Sequence, residues 1–142
     1  MENTSFSPKL TAWSLHVTEM MFMKELPAFC SIHPYFRVNP EHMHAFDELM
    51  NAFIERTEKE EGVIFYGFTC HGNEVFCREG YINAHALLHH IENVSELLDE
   101  ASKIAELTRL EVHGSEADVT HLREPLAHLQ PDFYTFKKGF IR

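Results

Sequence analysis

Two β-forming runs, Val63–His71 and Glu74–Tyr81, are separated only by Gly72 and Asn73. A Gly-Asn pair between such runs closes an antiparallel hairpin. A two-residue turn also sets the register. It pairs His71 with Glu74, Cys70 with Val75, Phe68 with Cys77 and Tyr66 with Glu79. Alternation then gathers Ile64, Tyr66, Phe68, Cys70, Val75, Cys77, Glu79 and Tyr81 on one face. Glu79 apart, that face is apolar enough to lie under helices.

The flanking segments supply the rest of a fold. Residues 28–38 alternate Ile32, Phe36 and Val38 against His33, Tyr35 and Arg37, a strand in which Pro34 suggests an edge or a bulge. Asn39-Pro40 then opens a helix, whose stripe of Phe46, Leu49, Met50, Phe53 and Ile54 runs to about Glu60, with Gly62 closing it. After the hairpin, Ala84, Leu87, Leu88 and Ile91 mark a helix from near Asn83. A second stripe, Val94 to Ala105, follows a kink at Asn93. Residues 108–113 alternate as a strand, residues 115–129 read as a helix disturbed by Pro125, and residues 133–140 form a last aromatic strand. The order β-α-β-β-α-β, then α-β, is that of an α+β, ferredoxin-like domain: an antiparallel sheet with helices on one face and a C-terminal extension. Residues 28–142 form this domain, and residues 1–27 a tail with an N-terminal helix over 11–26.

The opposite sheet face carries His33, Tyr35, Arg37, Phe65, Thr69, His71, Phe76, Arg78, Arg109, Glu111 and His113. Such a mixture of aromatic and charged side chains suits a sheet-on-sheet homodimer, the other reading being a solvated face. A net charge of −10 disfavours nucleic acid and acidic lipid surfaces as partners. Eleven histidines would remove much of that charge near about pH 6. Cys30, Cys70 and Cys77 form no CxxC pair, and 20–23 is too short an apolar run for a signal or a membrane span. Reduced thiols and a cytoplasmic address are expected, with Cys70 and Cys77 as two small buried thiols.

The run Glu79-Gly-Tyr81-Ile-Asn-Ala-His-Ala86-Leu-Leu-His-His90 resembles a segment of the antibiotic-biosynthesis-monooxygenase family. There a strand carries Glu and, two residues on, an aromatic, and the following helix carries Ala and then His four residues later. Glu79, Tyr81, Ala86 and His90 match these positions, and the likeness extends over residues 28–114. The resemblance implies a dimeric α/β barrel with a ligand pocket between sheet and helices in each subunit. It also implies, for some members, oxygenation of phenols or quinols without flavin or metal. Other members degrade haem, a branch disfavoured here because the single tryptophan, Trp13, lies in the N-terminal extension.

Oxygenation without a cofactor asks for a base, an apolar wall and a hydrogen-bond partner for a phenol. His90, Tyr81 and Glu79 are the candidate catalytic residues, and Tyr66, Phe68 and Phe53 the candidate wall for a small aromatic substrate. At about 100° per residue His90 flanks the apolar stripe of its helix, so a structural or solvent-facing histidine stays open. Glu79 at the strand end has the same alternative. His85 and His89, or His42 and His44, have metal-ligand spacing but neither HExxH nor a third ligand. No metal or cofactor is expected. A dimeric, non-catalytic module binding an apolar ligand or a protein is the competing function.

Overall fold

The computed structural model describes residues 29–142. The N-terminal helix expected over 11–26 lies outside them. The hairpin forms as its spacing dictates. β2 (Val63–His71) and β3 (Glu74–Tyr81) pair His71 with Glu74, Cys70 with Val75, Phe68 with Cys77 and Tyr66 with Glu79. Gly72 takes a φ of 59°, open to glycine without steric cost. The register slips once, between Val63 and Phe65, where Ile64 is inserted as a bulge. Ile64 is therefore 52% exposed, not under the helices as alternation alone expects.

β1 (Cys30–Val38) lies beside β3, and the sheet order is β2-β3-β1-β4-β5. Pro34 thus occupies a central strand, which overturns the edge reading. The bulge is real, and it lies in β4 (Ala105–Gly114): Tyr35 faces Arg109 while Phe36 faces Leu107. The inserted Thr108 donates its hydroxyl to the Tyr35 carbonyl at 3.2 Å. The last strand, β5 (Asp132–Thr135), is shorter than expected and runs parallel to β4, whereas the other pairings are antiparallel.

Asn39 makes no side-chain cap, and a 3-10 turn at Pro40–His42 precedes α1 (Met43–Thr57). That helix ends at Thr57, before Glu60, so the residues up to Gly62 form a turn. α2 (Ala84–Asn93) begins as expected, with Asn83 Oδ1 accepting from the Ala86 amide at 2.9 Å. The break at Asn93 is present, and α3 (Ser95–Ser102) stops short of Ile104 and Ala105. In α4 (Glu116–Leu126) Pro125 is accommodated in the last turn, and Ala127–Leu129 tightens to 3-10. Among the described residues no helix is long and apolar enough to cross a membrane.

Apolar burial locks the helices to one face of the sheet. Ile32, Leu110 and Val112 meet Leu87, Leu122 and Leu126, and Phe36, Val38 and Val75 meet Phe46 and Met50. Truncating any one of the leucine, isoleucine, methionine or phenylalanine side chains among these to Ala typically costs about 2–5 kcal/mol. Phe53 joins Val94 and Leu97 in a third cluster, across which α1 meets α3. Between this cluster and the sheet lies a void.

Candidate functional site

The void is a cavity of about 250 Å³ between sheet and helices. Its walls are Ile32, Phe36 and Leu110 from the sheet, Ile91 and Leu98 from the helices, and Val94 between them. The three expected wall residues, Phe53, Tyr66 and Phe68, all line it. Their rings pack in sequence, Phe53 to Phe68 at 6.0 Å and Phe68 to Tyr66 at 5.5 Å between centroids. Cys77, Glu79 and His90 also line it and give the apolar space a polar end.

His90 is 2% exposed, so the boundary position suggested by helical spacing is replaced by full burial. The buried stripe of α2 and the turn after it runs Ala84, Leu87, His90 and Val94, with Leu88 and Ile91 only partly covered. The helical break after Asn93 and the approach of the 58–62 turn bring His90 inside. Gly62 makes that approach possible, because a Cβ there would lie 2.5 Å from Ala86 Cβ. Ala86 is small for the same reason.

That turn delivers a residue that periodicity gave no sign of. Glu60, 9% exposed, accepts from His90 Nδ1 at 2.8 Å through Oε2. Asn93 Nδ2 donates to the same oxygen at 3.0 Å. Because Nδ1 faces an acceptor it carries the hydrogen, and Nε2 is left with its lone pair. Nε2 lies 3.7 Å from Glu79 Oε2. Glu79 is 3% exposed and does not reach solvent at the strand end. Cys77 Sγ donates to Glu79 Oε2 at 3.2 Å. The imidazole therefore stands between two buried carboxyl groups.

Burial decides the protonation of this cluster. It pushes the Glu79 carboxyl up to about 8, helped by the Glu60 charge and opposed by the Cys77 hydrogen bond. Burial also lowers the His90 imidazole, against the pull of Glu60. At neutral pH the arrangement is a neutral imidazole facing a carboxylic acid. The Tyr66 and Tyr81 phenols are raised by burial and then by the Glu79 charge, and the Cys77 thiol likewise, so all three stay protonated.

Tyr81 takes a different place from the one expected. It is fully buried and its ring lies 5.1 Å from that of His90, outside the residues lining the cavity. Its hydroxyl has no hydrogen-bond partner among the described residues. Tyr81 thus packs the imidazole in place. Cys70 is exposed at the far end of β2, which corrects the reading of two buried thiols, while Cys30 and Cys77 are buried. Among the described residues no three His, Cys, Asp or Glu side chains group as metal ligands.

No family model and no curated protein matches the chain. Solved structures do. MupZ from Pseudomonas fluorescens is 40% identical, with a TM-score of 0.79 over 82% of this chain and 96% of its own. A protein described as an antibiotic biosynthesis monooxygenase is 16% identical, with a TM-score of 0.53 over 58% of this chain and 92% of its own. The chain belongs to the antibiotic-biosynthesis-monooxygenase-like family. Rv0793 from Mycobacterium tuberculosis, at 23% identity and a TM-score of 0.54 over 59% of this chain and 91% of its own, shares the fold. In this monooxygenase-like chain the motif residues Glu79, Tyr81, Ala86 and His90 meet round one point. Glu79 and His90 face the cavity, Tyr81 backs the imidazole, and Ala86 admits the turn that carries Glu60.

Proposed function

We propose that the cavity binds a small aromatic or quinol-like molecule and that the chain oxygenates it without flavin or metal. The observation that carries this reading is the buried His90, fixed by Glu60 and presented at the polar end of an apolar, aromatic-walled cavity. At about 250 Å³ the space is near the lower end for ligand pockets, about 300–1,000 Å³, and suits one or two rings. His90 Nε2 takes the phenolic proton, and Glu79 as an acid donates a hydrogen bond to the oxyanion. Phe53, Phe68 and Tyr66 hold the ring and exclude water. The phenolate passes electrons to dioxygen, one oxygen atom enters the ring, and the other leaves as water: phenol plus O₂ gives quinone plus H₂O.

Oxygen uptake with a panel of phenols and quinols tests the reading, with His90→Gln expected to lower kcat about a hundredfold or more. Turnover that is indifferent to oxygen would replace it with the second reading, and ligand binding without turnover would leave a binding module. The second reading rests on Glu79. A buried carboxyl raised to about 8 is a general acid at neutral pH, and with His90 as base it supports proton-transfer chemistry that needs no oxygen.

Homodimerisation through the open sheet face belongs to the same proposal. His33 stacks on Phe76, Arg78 lies over Phe65, and Arg109 pairs with Glu111 there. The free thiols fit a reducing, cytoplasmic setting.

A further inference from the structure

The Glu60–His90 pair joins two spaces. His90 lines the inner cavity, while Glu60 lines an outer groove together with Arg56, Lys59, His85, His89 and Asn93. The 2.8 Å contact from Nδ1 to Oε2 is the join. A ligand filling the cavity cuts Nε2 off from water on the inner side. On the other side the ring meets the groove through a carboxylate.

The identity of residue 60 is the second clue. Both its partners are donors: His90 Nδ1–H and Asn93 Nδ2–H. A glutamine carbonyl would satisfy them without burying a charge. A carboxylate with a side chain 3% exposed, ion-paired to no lysine or arginine among the described residues, carries the cost of a buried charge that a neutral amide would not. What a carboxylate does and an amide cannot is accept a proton.

We propose that Glu60 relays protons between His90 and water in the outer groove, so that the base in the cavity is set from outside while a ligand is bound. The proposal rests on reading the cavity as the reaction site. A ligand hydroxyl gives its proton to Nε2, the Nδ1 proton passes to Glu60 Oε2, and the resulting acid gives its proton to groove water. The imidazole stays neutral, the ligand becomes an anion, and one proton leaves for each one that entered. The reverse sequence returns a proton to the product. Other groups facing the ring are Glu79, Cys77 and Tyr81 from β3, Tyr66 from β2 and His89 on its own helix. The nearest polar contact to Nδ1 is Glu60. Glu60 is thus a positioning and relay residue, and His90 the catalytic one.

The test uses the full chain labelled with ¹⁵N-histidine, without substrate, so that it stands apart from oxygen uptake. In the wild type His90 should show a single Nδ1–H tautomer, with its proton exchanging with water. Glu60→Gln should keep the fold and the tautomer but slow that exchange about tenfold or more, because the amide takes no proton. Glu60→Ala should lose the single tautomer, and formate entering from the groove should restore both tautomer and exchange. Exchange in Glu60→Gln as fast as in the wild type would overturn the relay. So would a folded Glu60→Ala protein indifferent to formate. If Glu60→Ala fails to fold, the Glu60→Gln exchange rate decides alone. Oxygen uptake lost with the relay intact would sink the oxygenase reading and leave this one standing.

Discussion

Each face of the sheet brings a histidine beside a glutamate, and the two faces treat the pair in opposite ways. Under the helices, Glu79 stands 3.7 Å from His90 with burial dominating, and its carboxyl rises to about 8. On the open face, Glu111 accepts from His113 at 2.9 Å and pairs with Arg109. There burial still pushes the carboxyl up, but the His113 hydrogen bond and the Arg109 charge prevail, and it falls below the usual carboxylate range. The difference is one of burial and partners rather than residue type. A carboxyl with an arginine and a histidine stays ionised and structural, whereas one facing a neutral imidazole in an apolar cavity becomes an acid.

Glu79→Gln should break that contrast most strongly. An acid whose folded pKa is raised stabilises the fold fully below its unfolded value, and the contribution is lost as pH climbs through the folded one. Here the window runs from about 4.5 to about 8. The glutamine variant should therefore be more stable than the wild type at pH 8, on the order of 3–5 kcal/mol, and much closer to it at pH 4. Urea denaturation at the two pH values measures this. Equal stability at pH 8 would mean that Glu79 ionises as readily in the fold as in the unfolded chain.

His90→Leu comes next. It leaves Glu60 buried with Asn93 as its remaining donor. The loss should be about 3 kcal/mol, and His90→Leu combined with Glu60→Leu should recover part of it. His113→Leu on the open face, where the histidine side chain is 41% exposed, should cost under about 1 kcal/mol. Similar losses at the two positions would erase the distinction between the faces.

The hairpin register was legible because a two-residue turn leaves the strands no choice. The placement of Glu79 under the helices followed from it, as did the aromatic wall of Tyr66 and Phe68. His90 was legible as a candidate but not as a buried residue. The helical wheel treats α2 as an isolated cylinder, whereas the turn through Gly62 covers the side that the wheel leaves open. Glu60 carried no signal, because a turn residue has no period and its inward direction depends on Gly62 meeting Ala86. Ile64 was misplaced for a related reason: alternation counts residues, and a bulge adds one.

The open face has its own pH response, smaller than that of the covered face. Burial, His113 and Arg78 push His33 down to about 4, against the pull of Glu111. A base whose folded pKa is lowered costs stability as pH falls below its unfolded value of 6.5, since the unfolded chain binds the proton first. His33→Phe, which keeps a ring against Phe76, should be less sensitive than the wild type between pH 6.5 and 4, by about 1–2 kcal/mol once solvent screening is allowed for. Thermal melts across that range would show it.

The smallest effect is the most discriminating. Glu111 has a lowered pKa, so its contribution is present above the ordinary carboxylate range and disappears as pH falls through the folded value. Glu111→Gln should thus cost stability at pH 7, by less than about 1 kcal/mol, and cost nothing at low pH. The sign is the reverse of that for Glu79→Gln, which should gain at high pH. Measured side by side, two Glu→Gln changes in one sheet should tilt the stability profile in opposite directions. A common direction would show that net charge on this acidic chain, and not the local partners of each carboxyl, governs its response to pH.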